Sequence, residues 1–87
     1  MPTTLVSGGS RGLGLATVER LLVRGDQVAT FSRSGSLALA SLAERHPGSL
    51  LTATLDAREP EELRRFVAAA RERFGGITHC IANAAIA

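Results

Sequence analysis

The chain has 87 residues, 45% of them hydrophobic and 21% charged, with a formal net charge of +2; this fits one small globular domain and excludes a second domain, disorder or a fibre. Trp and Tyr are absent and all 10 basic residues are Arg, so chemistry that needs a Tyr or Lys as acid, base or Schiff-base amine requires a second chain to supply it. The arginines are scattered and aromatics are 3%, which argues against a nucleic-acid platform, and no apolar run approaches the roughly 20 residues of a membrane span.

Leu5-Val6, bounded by Gly8-Gly9, predicts a buried strand from about Thr3 to Ser7. A glycine-rich turn follows. Leu15, Val18, Leu21 and Leu22 then recur at helical spacing, opposite Glu19, Arg20 and Arg24, with Gly25 where a C-terminal cap belongs. Gln27 to Phe31 predicts a second strand, opened by an Asp26 read as solvated. Ser36 is placed to cap a helix over Leu37–His46, which Pro47-Gly48 ends. Leu50 to Leu55 predicts a third strand, finishing at Asp56. Pro60 starts a third helix with Leu63, Phe66, Val67, Ala70 and Phe74 on one face, closed by Gly75-Gly76. Its cap position holds Arg58 or Glu59, where Ser, Thr or Asp is usual. Ile77 to Ala82 predicts a fourth strand.

Mostly apolar strands alternating with helices imply a parallel sheet covered on both faces. Right-handed crossovers then make the fold class α/β, the N-terminal βαβαβαβ part of a doubly wound Rossmann fold. The fourth strand should expose a long, apolar, unpaired edge, which soluble proteins avoid. More sequence or another polypeptide is therefore expected beside it.

The chemistry concentrates in Ser7-Gly8-Gly9-Ser10-Arg11-Gly12-Leu13-Gly14, between the first strand and the first helix. Glycines spaced Gly-x-x-x-Gly-x-Gly let backbone N–H groups approach a diphosphate at a helix N-terminus, where free amides and the helix dipole favour negative charge. The alternative is a plain strand-to-helix turn. No Gly-Lys-Ser/Thr follows, so an ATPase or GTPase is a poor reading. About 20 residues on, where an acidic residue would hold the ribose hydroxyls of NAD, the second strand ends in Ser32-Arg33-Ser34. Arg33 with Arg11 is suited to a 2′-phosphate, which predicts NADP(H) over NAD; the alternative is two solvated arginines.

These residues resemble the short-chain dehydrogenases/reductases. That family carries Thr-Gly-x-x-x-Gly-x-Gly after strand one, an Asp near the end of strand three and Asn-Asn-Ala-Gly after strand four. Here Ser7 stands for the Thr, and Gly8, Gly12 and Gly14 match. Asp56-Ala57 matches the acidic position, whose carboxylate faces the adenine in that family. Ala82-Asn83-Ala84-Ala85 stands for the last motif, with Ala82 replacing Asn and Ala85 replacing Gly. The Gly-Gly-Ser-Arg-Gly-Leu-Gly form is most similar to 3-oxoacyl-carrier-protein reductases. The resemblance implies a cofactor surface of Gly8, Ser10, Arg11, Gly12, Leu13, Gly14, Arg33, Asp56, Ala57, Asn83, Ala84 and Ala85. It implies hydride transfer between NADP(H) and a small-molecule carbonyl or alcohol, with a carrier-bound 3-oxoacyl group as a candidate, and it implies an oligomer. The family's proton-donating Tyr, its Lys four residues on and its Ser lie beyond strand four, so this chain holds no catalytic residue and is incomplete as an enzyme alone. A non-catalytic nucleotide-binding or regulatory subunit that docks through the fourth-strand edge is the rival reading.

Other residues read as structural. His79 and Cys80 are adjacent on a strand and point to opposite faces, so they predict no metal site. Arg64, Arg65, Arg71 and Arg73 with Glu61, Glu62 and Glu72 form the wet face of the third helix. A single cysteine and an N-terminus without signal-peptide features predict a cytoplasmic protein.

Overall fold

The computed structural model describes residues 2–82. Seven elements alternate along the chain: β1 (Thr3–Ser7), α1 (Gly12–Arg24), β2 (Gln27–Ser32), α2 (Leu37–Arg45), β3 (Leu50–Thr54), α3 (Pro60–Phe74) and β4 (His79–Ala82). All neighbouring strands are parallel and the sheet order is β3-β2-β1-β4. The chain moves outward from β1 to β2 and β3, then returns across the sheet to place β4 on the other side of β1. That reversal is the switch point of a doubly wound fold, and ligands in such folds bind at the carboxyl ends of the strands beside it.

Strand side chains alternate between the two faces. Val6, Val28 and Leu50 join Val18 and Leu22 of α1 and Leu39 and Leu42 of α2 in one core. Ala29 and Phe31 join Leu55 and the α3 residues Phe66 and Ala70 in the other. Phe31 and Phe66 meet edge to face, their ring centroids 5.6 Å apart. The helix ends follow local chemistry. Gly25 and Gly75 stop α1 and α3 with φ of 99° and 85°. Ser36 caps α2 by accepting from the Leu39 N–H at 3.1 Å. Glu59 is the N-cap of α3 and makes no side-chain capping bond, while Pro60 supplies the fixed φ of a first helical turn.

Two expectations are corrected. Asp26 is not solvated: it is 4% exposed, and its carboxylate is paired with the Arg24 guanidinium. The turn after Gly25 sends its N–H to the Leu21 carbonyl at 3.0 Å and tucks the side chain under the helix end. The fourth strand begins at His79 rather than Ile77, because Ile77 packs into the α3-side core and Thr78 reaches across to the Thr3 carbonyl at 2.8 Å. Among the described residues of that strand, His79, Cys80 and Ala82 are exposed.

Candidate functional site

The segment after β1 turns back under the start of α1, and two glycines permit it. A Cβ on Gly14 would lie 2.1 Å from the Gly8 carbonyl oxygen, so only hydrogen lets the first turn of α1 press against the loop. A Cβ on Gly9 would lie 2.2 Å from the Thr30 hydroxyl, which is itself buried and donates to the Val6 carbonyl at 2.7 Å. Gly9 was not among the residues expected at the site. Its spacing carries no signal, because its partner Thr30 comes from the neighbouring strand.

Arg11 is the N-cap of α1 and makes no side-chain capping bond, and no acidic residue lies in the first turn. This helix start therefore has neither a side-chain cap nor a first-turn carboxylate, which suits an anion. Leu13 is 77% exposed on the same turn. The loop is anchored from the other side. The Ser36 hydroxyl donates to the Ser10 carbonyl while accepting from Leu39, which joins the glycine loop to the start of α2. The Gly8 N–H donates to the Phe31 carbonyl at 2.8 Å.

A cleft of about 400 Å³ opens over the carboxyl ends of β1, β2 and β3. Gly8 and Ser10 form one side, Ser32, Arg33 and Ser34 a second, and Ala57 and Arg58 a third, over the buried Phe31 and Leu55. The glycine loop thus sits at a helix start, and Arg33 lies on the same side of the molecule as that loop. Arg11 is tied to this rim because its Nη2 donates to the Ser34 Oγ at 3.2 Å. The Ser32 hydroxyl donates to the Ser34 carbonyl at 2.8 Å and holds the loop that carries Arg33.

Asp56 is half-buried just beyond β3, and both of its carboxylate oxygens are engaged by one residue. Oδ1 accepts from the Arg58 backbone N–H at 2.9 Å and from its Nε at 3.1 Å. Oδ2 accepts from Nε at 3.2 Å and from Nη2 at 2.8 Å. The side-chain and backbone donors of Arg58 together hold the Asp56 carboxyl down from 3.8 to about 2, burial opposes this, and the Arg33 charge adds to the lowering. The carboxylate is thereby neutralised locally, and the cleft keeps the positive charge of Arg33. Arg58 was weighed in sequence only as a weak helix cap. Asn83, Ala84 and Ala85 lie outside the described residues.

The glycine loop at a helix start, the cleft at the carboxyl ends and the doubly wound order together define a Rossmann-like α/β unit. The family model of short chain dehydrogenases matches residues 2–87. The chain belongs to that family of oxidoreductases, whose members use nicotinamide cofactors. It is 35% identical over 82 residues to cis-2,3-dihydrobiphenyl-2,3-diol dehydrogenase of Paraburkholderia xenovorans, a match covering 94% of this chain and 29% of that one. It is 31% identical over 90 residues to an L-rhamnose 1-dehydrogenase (NAD(P)(+)) of Azotobacter vinelandii, covering 97% and 35%. A short chain dehydrogenase/reductase structure from Saccharomyces cerevisiae superposes with a TM-score of 0.86 at 30% identity, covering 97% of this chain and 34% of that one. The chain therefore spans about a third of the length of these relatives. No helix among the described residues is long and apolar enough to cross a membrane.

Proposed function

We propose that the 87 residues form the NADP(H)-binding portion of an oxidoreductase that interconverts a small-molecule carbonyl and its alcohol. The observation that carries this reading is Arg33 on the wall of the cleft that the glycine loop also lines. The turn after β2 reads Ser32-Arg33-Ser34-Gly35-Ser36, so it offers a cation and hydroxyls to a ribose and no carboxylate. A free carboxylate would favour an unphosphorylated ribose, whereas a guanidinium with neighbouring hydroxyls favours a 2′-phosphate. The nearest acid, Asp56, is already engaged by Arg58.

The fit extends along the cleft. The loop from Gly8 to Gly14 would hold the diphosphate against the N-terminus of α1, where the absent Cβ of Gly14 keeps helix and strand in close register. Arg33, supported by Arg11 through Ser34, would orient the adenosine end. When bound, the nicotinamide supplies or takes up a hydride. This chain's residues bind and orient, and the proton donor belongs to sequence beyond β4 or to a second polypeptide, since the chain has no Tyr and no Lys. The dihydrodiol and rhamnose dehydrogenases among its relatives widen the substrate class to hydroxyl-bearing small molecules. A carrier-bound 3-oxoacyl group remains the candidate that the glycine-loop wording favours.

Titrating the full chain with 2′,5′-ADP and with 5′-ADP tests the reading. The 2′-phosphorylated probe should bind more tightly, and Arg33→Ala should remove roughly tenfold or more of that advantage, as expected for a charge-assisted hydrogen bond. Equal binding of the two probes, or no binding of either, overturns it.

A further inference from the structure

Three serines line the cleft: Ser10, Ser32 and Ser34. The Ser32 hydroxyl donates to the Ser34 carbonyl, and the Ser34 hydroxyl accepts from the Arg11 Nη2. The Ser10 hydroxyl differs. Ser10 is only 4% exposed, and its side chain has no hydrogen-bond partner among the described residues. A buried hydroxyl without a partner costs free energy, so one in a cleft wall marks a bond that a ligand completes.

The main chain that carries this hydroxyl is fixed on both sides. Gly9 lies against Thr30 of β2, where no Cβ would fit. The Ser10 carbonyl accepts from the Ser36 hydroxyl, whose oxygen in turn accepts from the N–H of Leu39, a core residue of α2. A peptide group is planar and trans, so holding that carbonyl also sets the direction of the Arg11 N–H at the start of α1. Ser36 is not itself among the residues that line the cleft.

We infer that Ser36 is a positioning residue for the nucleotide: from the N-cap of α2 it holds the Ser10 carbonyl, and so keeps the Ser10 hydroxyl available to a phosphoryl oxygen of the ligand. This rests on the dinucleotide reading above and adds to it a residue outside the cleft. The chemistry matches, because a hydroxyl donating to an anionic oxygen makes a charge-assisted hydrogen bond. The two tasks of Ser36 use different atoms. The Leu39 N–H needs its oxygen, whereas the Ser10 carbonyl needs its hydrogen.

The test titrates the full chain with 2′,5′-ADP by calorimetry, below the thermal midpoint of every variant. Ser10→Ala should weaken binding about tenfold, as for loss of a hydrogen bond to a charged group. Its thermal midpoint should not fall, because the hydroxyl it removes has no partner in the free protein. Ser36→Gly keeps a residue type accepted at an N-cap and removes the tether; it should weaken binding about three- to tenfold. Ser36→Thr keeps both oxygen and hydrogen and should bind within about threefold of the unmodified chain. Ser10→Ala combined with Ser36→Gly should bind within about twofold of Ser10→Ala alone, because one side chain acts through the other. A general loosening of the loop would instead weaken the double variant further. The inference is overturned if Ser36→Gly or Ser10→Ala leaves binding unchanged, if Ser36→Thr binds as weakly as Ser36→Gly, or if Ser36→Gly costs as much with Ala at position 10 as with Ser. Failure of the unmodified chain to bind 2′,5′-ADP refutes the dinucleotide reading and carries this inference with it.

Discussion

Gly14→Ala puts the closest contact in the fold under direct strain. The added Cβ would sit 2.1 Å from the Gly8 carbonyl oxygen and 2.9 Å from its carbon, while real Cβ atoms essentially never come nearer than 3.0 Å. The opposing atoms are backbone, so no rotamer change relieves the overlap of roughly 0.9 Å. Helix α1 must instead move off β1, and that motion loosens Val18 and Leu22 in the core on its inner side. Forcing an extra methyl into a packed site costs about 1–3 kcal/mol and occasionally more. The better helix propensity of Ala returns at most ~1 kcal/mol. A net loss of about 2 kcal/mol should lower the midpoint by roughly 8–16 °C in a domain of this size. Thermal melts followed by circular dichroism measure it, with Gly35→Ala as the control. An added Cβ at Gly35 meets nothing within 4 Å, and its effect should stay within about 0.5 kcal/mol. If Gly14→Ala melts with the Gly35→Ala control, the close approach of loop and helix is not what this glycine provides, and the geometry assigned to the diphosphate loop fails with it.

Ser36→Ala removes the cap of α2 and the tether to the buried Ser10 carbonyl in one step; it should cost about 1–2 kcal/mol in urea unfolding, and a loss no larger than that of an exposed loop serine would refute the tether. The Asp56 carboxyl is lowered in the folded chain from 3.8 to about 2, so its contribution to stability is present above about pH 4 and lost as the pH falls through about 2. In Arg58→Ala the same carboxyl, followed by carbon-detected NMR titration, should return toward 3.8, and stability should fall less steeply across that window. An unmoved midpoint would show that Arg58 is not its principal partner.

Arg33→Ala separates fold from ligand choice. Arg33 is exposed, so stability should stay within about 0.5 kcal/mol of the unmodified chain while the preference for the 2′-phosphorylated probe disappears. A preference that survives would move the phosphate site elsewhere.

What the sequence determined by itself is the local part of this protein. Strand and helix order, the left-handed caps at Gly25 and Gly75, the Ser36 cap and the glycine turn all follow from the preferences of residues a few positions apart. The resemblance carried by Gly8, Gly12, Gly14 and Asp56 depends on the same near-neighbour spacing. Tertiary structure decided what depends on which distant atoms meet. Gly9 is obligatory because Thr30 stands against it from β2. Asp26 is buried because the end of α1 folds over it, although an acid after a glycine reads as solvated. Arg11 and Arg33 share a rim only because the loop after β2 returns beside the start of α1. Asp56 lies close to its partner in sequence, yet only the turn into α3 wraps the Arg58 donors around both carboxylate oxygens. Local preference acts over one turn of chain, while the charge and shape of this cleft are set by three loops whose positions the sheet order alone brings together.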